Sequence, residues 1–359
     1  MSLLHLIESA PFRGLQKASA CVLSPWVSGA LLASLECAPD EVRLAVLHHL
    51  PLATRALQIL LGVGILSALS RGAGSMAANS WRATAAPDWD WPKEVAVVTG
   101  GCSGIGACIV RRLVDRGVRV AVLDVQPKPP ASGTDDGLKE DPDSLVRYYQ
   151  CDITSPASVA EAADAIRRDL GHPTILVNNA GITRPMPILE MPADVLQKVF
   201  AVNTLSHWTL VQQFLPHMIA LNKGHIMTVA SMASFIALPK GADYSASKAS
   251  ALSFHESLAL ELKHVYKADC VLTSIAHPNF VRTPLVKDFG HQLEQGGIRM
   301  LTPEGVAGAI TDQIFRRRGA QLLIPEQQAV VSGIRGWPTW MQVVLRDQMG
   351  VNAANISVS

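Results

Sequence analysis

The spacing of apolar and polar residues divides the chain into three parts. Residues 1–85 are apolar but interrupted. Between Lys17 and Glu36 every residue is uncharged, yet Pro25, Gly29 and several serines break the run. A cleaner stretch lies between Arg55 and Arg71. As a helix it would be roughly 22–24 Å long, against a hydrocarbon core of about 30 Å. Flanking arginines that snorkel to the interface make up part of that gap. A basic leader is missing and Glu8 falls early, so the pattern favours a membrane-embedded or interfacial anchor over a cleaved signal. The other reading is a pair of ordinary buried helices. Ala, Ser and Pro enrich the following residues, and 86–93 reads as the linker proper.

From residue 94 to 325 the period alternates between strand and helix. Short apolar runs at Val95–Val98, Val118–Leu123, Val146–Gln150, Ile175–Val177, His225–Ala230, Val271–Ala276 and Gln321–Ile324 predict seven strands. Helical spacing predicts helices over Gly106–Asp115, Val195–Leu221 and Tyr244–Leu262. Ser155-Pro156 and Thr302-Pro303-Glu304 begin two more, with a cap residue before a proline. Residues 126–143 are polar and proline-rich, and predict a surface loop. The alternation implies an α/β fold: a Rossmann-type, doubly wound, mostly parallel seven-stranded sheet. The tail, 326–359, carries Trp337, Trp340, Met341, Val344 and Leu345 at the spacing of a short amphipathic helix. Covering a pocket, docking on a membrane and capping the core all fit it.

Composition narrows the function. A net charge of +1 with 17% charged residues gives no footprint for nucleic acid. The mean hydropathy of +0.22 is high for a soluble enzyme, and much of the excess lies in the first 80 residues. The 6 cysteines form no C-x-x-C pair and sit at no metal-ligand spacing, so no metal site is expected. They read as small buried thiols of a reducing compartment. Asn355-Ile-Ser357 fits a glycosylation sequon, a triplet common by chance.

Candidate chemistry begins at Thr99-Gly100-Gly101-Cys102-Ser103-Gly104-Ile105-Gly106, which follows the first strand and opens a helix. Glycines there let the backbone turn tightly and approach a pyrophosphate, whose charge the helix N-terminus favours. Asp124 ends the second strand, where a carboxylate can accept hydrogen bonds from ribose hydroxyls and repel a 2′-phosphate. Its alternative use is a turn or cap. Position 103 is serine rather than a basic residue, so both positions favour NAD(H), with NADP(H) the second choice. Asn178-Asn179-Ala180-Gly181 follows the fourth strand and leaves room for a ligand. Tyr244 and Lys248 lie four apart on one helix face, with Ser231 thirteen residues before Tyr244. An ammonium beside a phenol favours its ionised form, so Lys248 would tune Tyr244 as proton donor and acceptor. Ser231 could hydrogen-bond the same reacting oxygen.

Over residues 93–325 these motifs together resemble the short-chain dehydrogenase/reductase family. The resemblance implies Asn203, Ser231, Tyr244 and Lys248 as a catalytic tetrad, with Lys248 also on the nicotinamide ribose. It implies cofactor contacts at Thr99, Gly100, Ser103, Gly104, Ile105, Gly106 and Asp124. It adds Asp152 and Ile153 near the adenine, Asn179, Ala180 and Gly181, then Val281 and Thr283 near the nicotinamide. Where the family usually has P-G-x-V-x-T, this chain has Pro278-Asn279-Phe280-Val281-Arg282-Thr283. That version, and the apolar extension, resemble the retinol and 17β-hydroxysteroid dehydrogenases of the endoplasmic reticulum and lipid droplets. The implied substrate is a lipophilic alcohol or carbonyl, the implied partner a membrane or lipid-droplet surface. Homo-oligomers are the family's habit.

Two other readings stand beside this one. One is an NADPH-dependent ketoreductase of a polyketide or other secondary-metabolite pathway, against which Asp124 argues. The other is a non-catalytic nucleotide-binding scaffold, which has no physical need for the four side chains together.

Overall fold

The computed structural model describes residues 24–49, 51–81, 89–126 and 144–354. Of the predicted polar loop, residues 127–143 lie outside the described residues, as do the sequon at Asn355, Cys21 and the chain before Ser24. The chain divides into two compact units, Leu3–Arg82 and Ala83–Ser359.

The first unit holds helices α1 (Pro25–Glu36), α2 (Asp40–His49) and α3 (Pro51–Ala77). Pro25 starts α1, where its missing N–H costs no bond. Gly29 of α1 faces Leu61 of α3. The apolar stretch expected to end at Arg71 runs on to Ala77, because arginine is a good helix former and solvates at a surface. Over Thr54–Ala77, 24 residues whose most apolar 18-residue stretch has a mean hydropathy of 1.5, α3 is long and apolar enough to cross a membrane by length and composition. Ile59, Leu66 and Leu69 are exposed on it, so its apolar surface is not spent on a core within the unit.

The second unit holds strands β1 (Val95–Thr99), β2 (Arg119–Asp124), β3 (Val146–Gln150), β4 (Ile175–Asn178), β5 (Gly224–Val229), β6 (Val271–Pro278) and β7 (Ala320–Ile324). Its helices are α4 (Gly104–Val114), α5 (Pro156–Asp169), α6 (Ala193–Phe200), α7 (Ser206–Leu221), α8 (Ala242–His264), α9 (Gly290–Gln295), α10 (Pro303–Phe315) and α11 (Thr339–Ala354). The sheet has seven strands in the order β3-β2-β1-β4-β5-β6-β7. Every pairing is parallel. It is a doubly wound, Rossmann-type α/β sheet. Alternate strand residues feed two cores. Val97, Leu123, Leu176 and Ile226 pack with α5, α7 and α8. Val98, Val122, Val177 and Met227 pack with α4 and α10. The winding reverses between β1 and β4, which opens a crevice at the carboxyl ends of the strands.

Three local results refine the sequence reading. The stretch 195–221, one helix by periodicity, is α6 and α7 joined by a π-turn at Ala201–Leu205. Such turns often mark functional sites, and this one carries Asn203. In the stretch read as a linker, Trp89 is buried in the core, and Trp91 meets Phe315 edge-on at 4.9 Å. In the tail, a 3₁₀ segment, Glu326–Gly336, precedes α11. Arg335 donates from Nε to the Phe235 carbonyl at 3.2 Å and from Nη2 to the Ser234 carbonyl at 3.1 Å. Gly350 of α11 lies against Pro239. The tail thus lies against the 232–239 segment.

Candidate active site

The glycine loop fills the turn from β1 into α4. Gly100 has φ +63, open to glycine without strain. A Cβ at Gly106 would sit 2.1 Å from the Gly100 carbonyl oxygen and 2.6 Å from Asn179 Nδ2. The loop therefore closes on itself only with glycine there, leaving main chain, not side chains, toward the crevice. This cradle fits a pyrophosphate at a helix N-terminus. Ser103 caps α4 by backbone conformation, and its side chain makes no cap bond. Ile105 is half-buried against the α4 core.

The Asn178–Gly181 segment braces that loop. Thr99 Oγ1 accepts from the backbone N–H groups of Asn179 and Ala180, each at 3.0 Å. Asn179 Nδ2 donates to the carbonyls of Thr99, at 2.9 Å, and Gly100, at 3.2 Å. The Thr99 and Asn179 side chains thus hold the cradle's shape. Gly181 lies beside both Asn203 Oδ1 and Lys248 Nζ, each 3.4 Å from where a Cβ would be. A larger residue would crowd them.

Asp124 is buried at the end of β2. Its Oδ2 accepts from Cys102 N–H at 3.1 Å and its Oδ1 from Gln126 N–H at 3.1 Å. The carboxylate is therefore fixed beside the glycine loop. Burial, helped by Asp124, pushes the Cys102 thiol up to about 12, so it stays protonated. Asp152 is exposed and accepts from Thr154 N–H at 2.9 Å. The Ile153 side chain turns into the core, which leaves its main chain for any cofactor contact. Val281 is likewise buried and bridges to Leu301. Thr283 abuts the glycine loop: its Cγ2 is 3.1 Å from where a Cβ on Gly104 would be. Asn279, in place of the usual glycine, has no positive φ. Its Nδ2 instead donates to Gln328 Oε1 of the tail at 2.7 Å.

The four chemistry-bearing side chains come from the turn after β5, the π-turn and α8. Lys248 is buried and donates from Nζ to the Val229 carbonyl at 2.9 Å. Burial lowers its pKa to about 8. Its Nζ lies 5.7 Å from the centroid of the Tyr244 ring. Burial raises the Tyr244 phenol above its ordinary value, and a hydrogen bond with Ser231 opposes the rise. Asn203 is fully buried. It accepts from Ile182 N–H at 2.8 Å and donates to the Ile182 carbonyl at 2.9 Å. It also donates to Ser247 Oγ at 3.0 Å, and Ser247 Oγ donates to the Tyr244 carbonyl at 2.8 Å. Ser247, His277 and Arg335 escaped the sequence reading. A hydroxyl inside Tyr244-Ser-Ala-Ser-Lys248 and a lone histidine ending an apolar strand were the available signals. Among the described residues no group of three potential metal ligands occurs.

A half-buried phenol paired to a serine, with an ammonium nearby, can pass a proton to or from an oxygen placed between them. A phosphate-sized cradle ending at the same crevice can hold a dinucleotide. Comparison with known proteins agrees. A family model described as short chain dehydrogenase matches residues 94–294. The chain is 41% identical to the dehydrogenase RED2 of Cochliobolus heterostrophus over 210 residues, 58% of this chain and 76% of that one. It is 34% identical to the epidermal retinol dehydrogenase 2 of Mus musculus over 190 residues, 53% of this chain and 61% of that one. The crystal structure of a 3-ketoacyl-(acyl-carrier-protein) reductase from Brucella melitensis, complexed with NADH, superposes with a TM-score of 0.55 at 26% identity. It covers 64% of this chain and 96% of that chain.

Proposed function

This chain belongs to the short-chain dehydrogenase family, and from that premise we propose that it moves hydride between NAD(H) and a lipophilic alcohol or carbonyl, such as a retinoid or steroid. The observation that carries the proposal is the convergence of Tyr244, Ser231 and Lys248 beside the glycine cradle. The bound nicotinamide would supply or take the hydride. The residues that would hold it are the 99–106 loop, Asp124, Asn179–Gly181, Lys248 and Thr283. Tyr244 would take the alcohol proton in oxidation and return one in reduction. Ser231 would hydrogen-bond the reacting oxygen, and Asn203 would hold the segment at Ile182 against the site. The fixed Asp124 carboxylate would disfavour a 2′-phosphate, which supports NAD(H).

The substrate class rests on the likeness to a retinol dehydrogenase and on the apolar segments beside the site. We propose that α3 anchors the protein to a membrane, on the length and apolar surface of that helix, and that this membrane is the endoplasmic reticulum or a lipid droplet, as the sequence resemblance implies. Full-length protein should stay with the membrane pellet after alkaline carbonate extraction, and its release would overturn the anchor. A second reading, the NADPH-dependent ketoreductase of a secondary-metabolite pathway, draws on the likeness to the fungal RED2 dehydrogenase.

The test is turnover by full-length, detergent-solubilised protein. NAD or NADP is supplied with retinols, hydroxysteroids and simple secondary alcohols, beside the Tyr244→Phe variant. NAD-linked oxidation lost in the variant, with NADH binding retained, is the expected result. Turnover that survives Tyr244→Phe, or none from any compound, would overturn the reading.

A further inference from the structure

We propose that His277 is a positioning residue for Ser231, an inference that rests on the catalytic role assigned to Ser231 above. His277 is fully buried, near the end of β6. Its Nδ1 lies 3.0 Å from the Ser231 carbonyl oxygen. A carbonyl only accepts, so Nδ1 carries the ring proton. On the far side of the ring, Gln321 Nε2 stands 3.3 Å from His277 Nε2 and donates to its lone pair. Both partners thus select one neutral tautomer. Phe235 packs against the ring, with centroids 4.6 Å apart. Burial lowers the imidazole to about 4, so near neutral pH the donor is a neutral ring.

The arrangement matters because Ser231 lies just past the sheet. The β5–β6 ladder is continued by the bond from Ala230 N–H to the Ala276 carbonyl, at 2.8 Å. Beyond it the chain turns. Ser234 N–H bonds the Ser231 carbonyl at 3.0 Å, and Ala233 N–H bonds the Ser231 hydroxyl at 3.1 Å. Both donors belong to the turn itself and would move with it. His277 ties the Ser231 peptide to β6 one residue beyond the ladder, beside the longer bond, 3.4 Å, that the Ser231 hydroxyl donates to the Pro278 carbonyl. That fixes the direction of the Ser231 Cα–Cβ bond and so the place of its hydroxyl against Tyr244. The ring never touches the reacting atoms; it acts through the serine.

The experiment compares wild type, His277→Leu and His277→Asn as full-length protein in detergent, with NAD and the alcohol that the wild type turns over best. Asparagine presents an N–H donor near the place of Nδ1; leucine fills the volume without one. Nitrogen-15 spectra of labelled histidine should show His277 in the Nδ1–H form. His277→Leu should lower kcat by about tenfold, with KM and NADH affinity within about twofold. His277→Asn should recover kcat to within about threefold of wild type. An Nε2–H tautomer, unchanged kcat in His277→Leu, or equal loss in both variants would each overturn the proposal. Equal loss would mean that the ring only packs. If the wild type itself turned over no alcohol, the oxidoreductase reading would fail first and this inference with it, a failure visible without any variant.

Discussion

Asn203 donates a hydrogen bond to Ser247 Oγ at 3.0 Å, and both side chains are wholly buried. That bond links the π-turn before α7 to the first turns of α8, where Tyr244 sits. Ser247 passes it on to the Tyr244 carbonyl at 2.8 Å, and Thr204 Oγ1 donates to the Ser247 carbonyl at 2.8 Å. The chemistry-bearing helix is thus clamped by buried side chains of the π-turn. Replacing Ser247 with Ala leaves Asn203 Nδ2 with Ile182 alone and removes one bond to the Tyr244 backbone. Stability should fall by about 1–3 kcal/mol, and kcat by less than about tenfold. Denaturant melts and steady-state rates measure the two effects separately. A rate loss as deep as that of Tyr244→Phe would show that Ser247 does more than clamp.

Gly106 offers a sharper test of the cradle. A Cβ there would lie 2.1 Å from the Gly100 carbonyl oxygen, so Gly106→Ala must push the loop open. Overpacking of this kind costs about 1–3 kcal/mol. NADH affinity, followed by fluorescence, should weaken by about tenfold or more. Gly336, which has nothing within 4 Å of its would-be Cβ, is the control, and Gly336→Ala should bind as wild type does. Unchanged affinity in Gly106→Ala would remove the glycine loop from the cofactor site.

Most of the fold was legible because seven short apolar runs alternate with helical spacing. A strand buried on both faces leaves that signature directly. The site was legible where side-chain chemistry sits at fixed spacing, as in Tyr244 and Lys248. What could not be read depended on distant packing. The π-turn at Ala201–Leu205 leaves the helical period nearly intact, so residues 195–221 looked like one helix. Trp89 and Trp91 sit among prolines and aspartates, and only the tertiary contact with Phe315 shows that they belong to the core. The bond from Asn279 to Gln328 and those from Arg335 to the 234–235 carbonyls join positions far apart in the chain. No local pattern announces them.

Asp124 should set cofactor choice. Its two oxygens accept from Cys102 and Gln126, which fixes the carboxylate beside the glycine loop. Asp124→Ser removes that charge. The ratio of kcat/KM for NADP to that for NAD should rise by about tenfold or more. The same variant should make the Cys102 thiol easier to ionise, since Asp124 adds to the burial that holds it up near 12. Thiolate absorbance against pH reads that change without any substrate. A cofactor ratio that does not move would remove the ground on which NAD(H) leads NADP(H).

Buried histidines should make the dehydrogenase unit acid-labile. Burial lowers His207 and His225 to about 3, and His255 and His277 to about 4, against an ordinary 6.5. Their folded forms are therefore neutral where the unfolded chain already binds protons. Between pH 6.5 and about 4 the unfolded state holds more protons, so stability falls as pH falls. Well above pH 6.5 all four are neutral in both states and contribute little slope. Thermal melts should be flat in this respect from pH 7 to 8 and drop steeply below 6.5. Replacing His225 with Asn should shallow the drop by up to one proton's worth, about 1.4 kcal/mol per pH unit. That variant is chosen because His225 bonds Ser274, at 2.9 Å, rather than Ser231. A melting temperature that stays level from pH 7 down to 5 would mean that these rings are protonated within the fold.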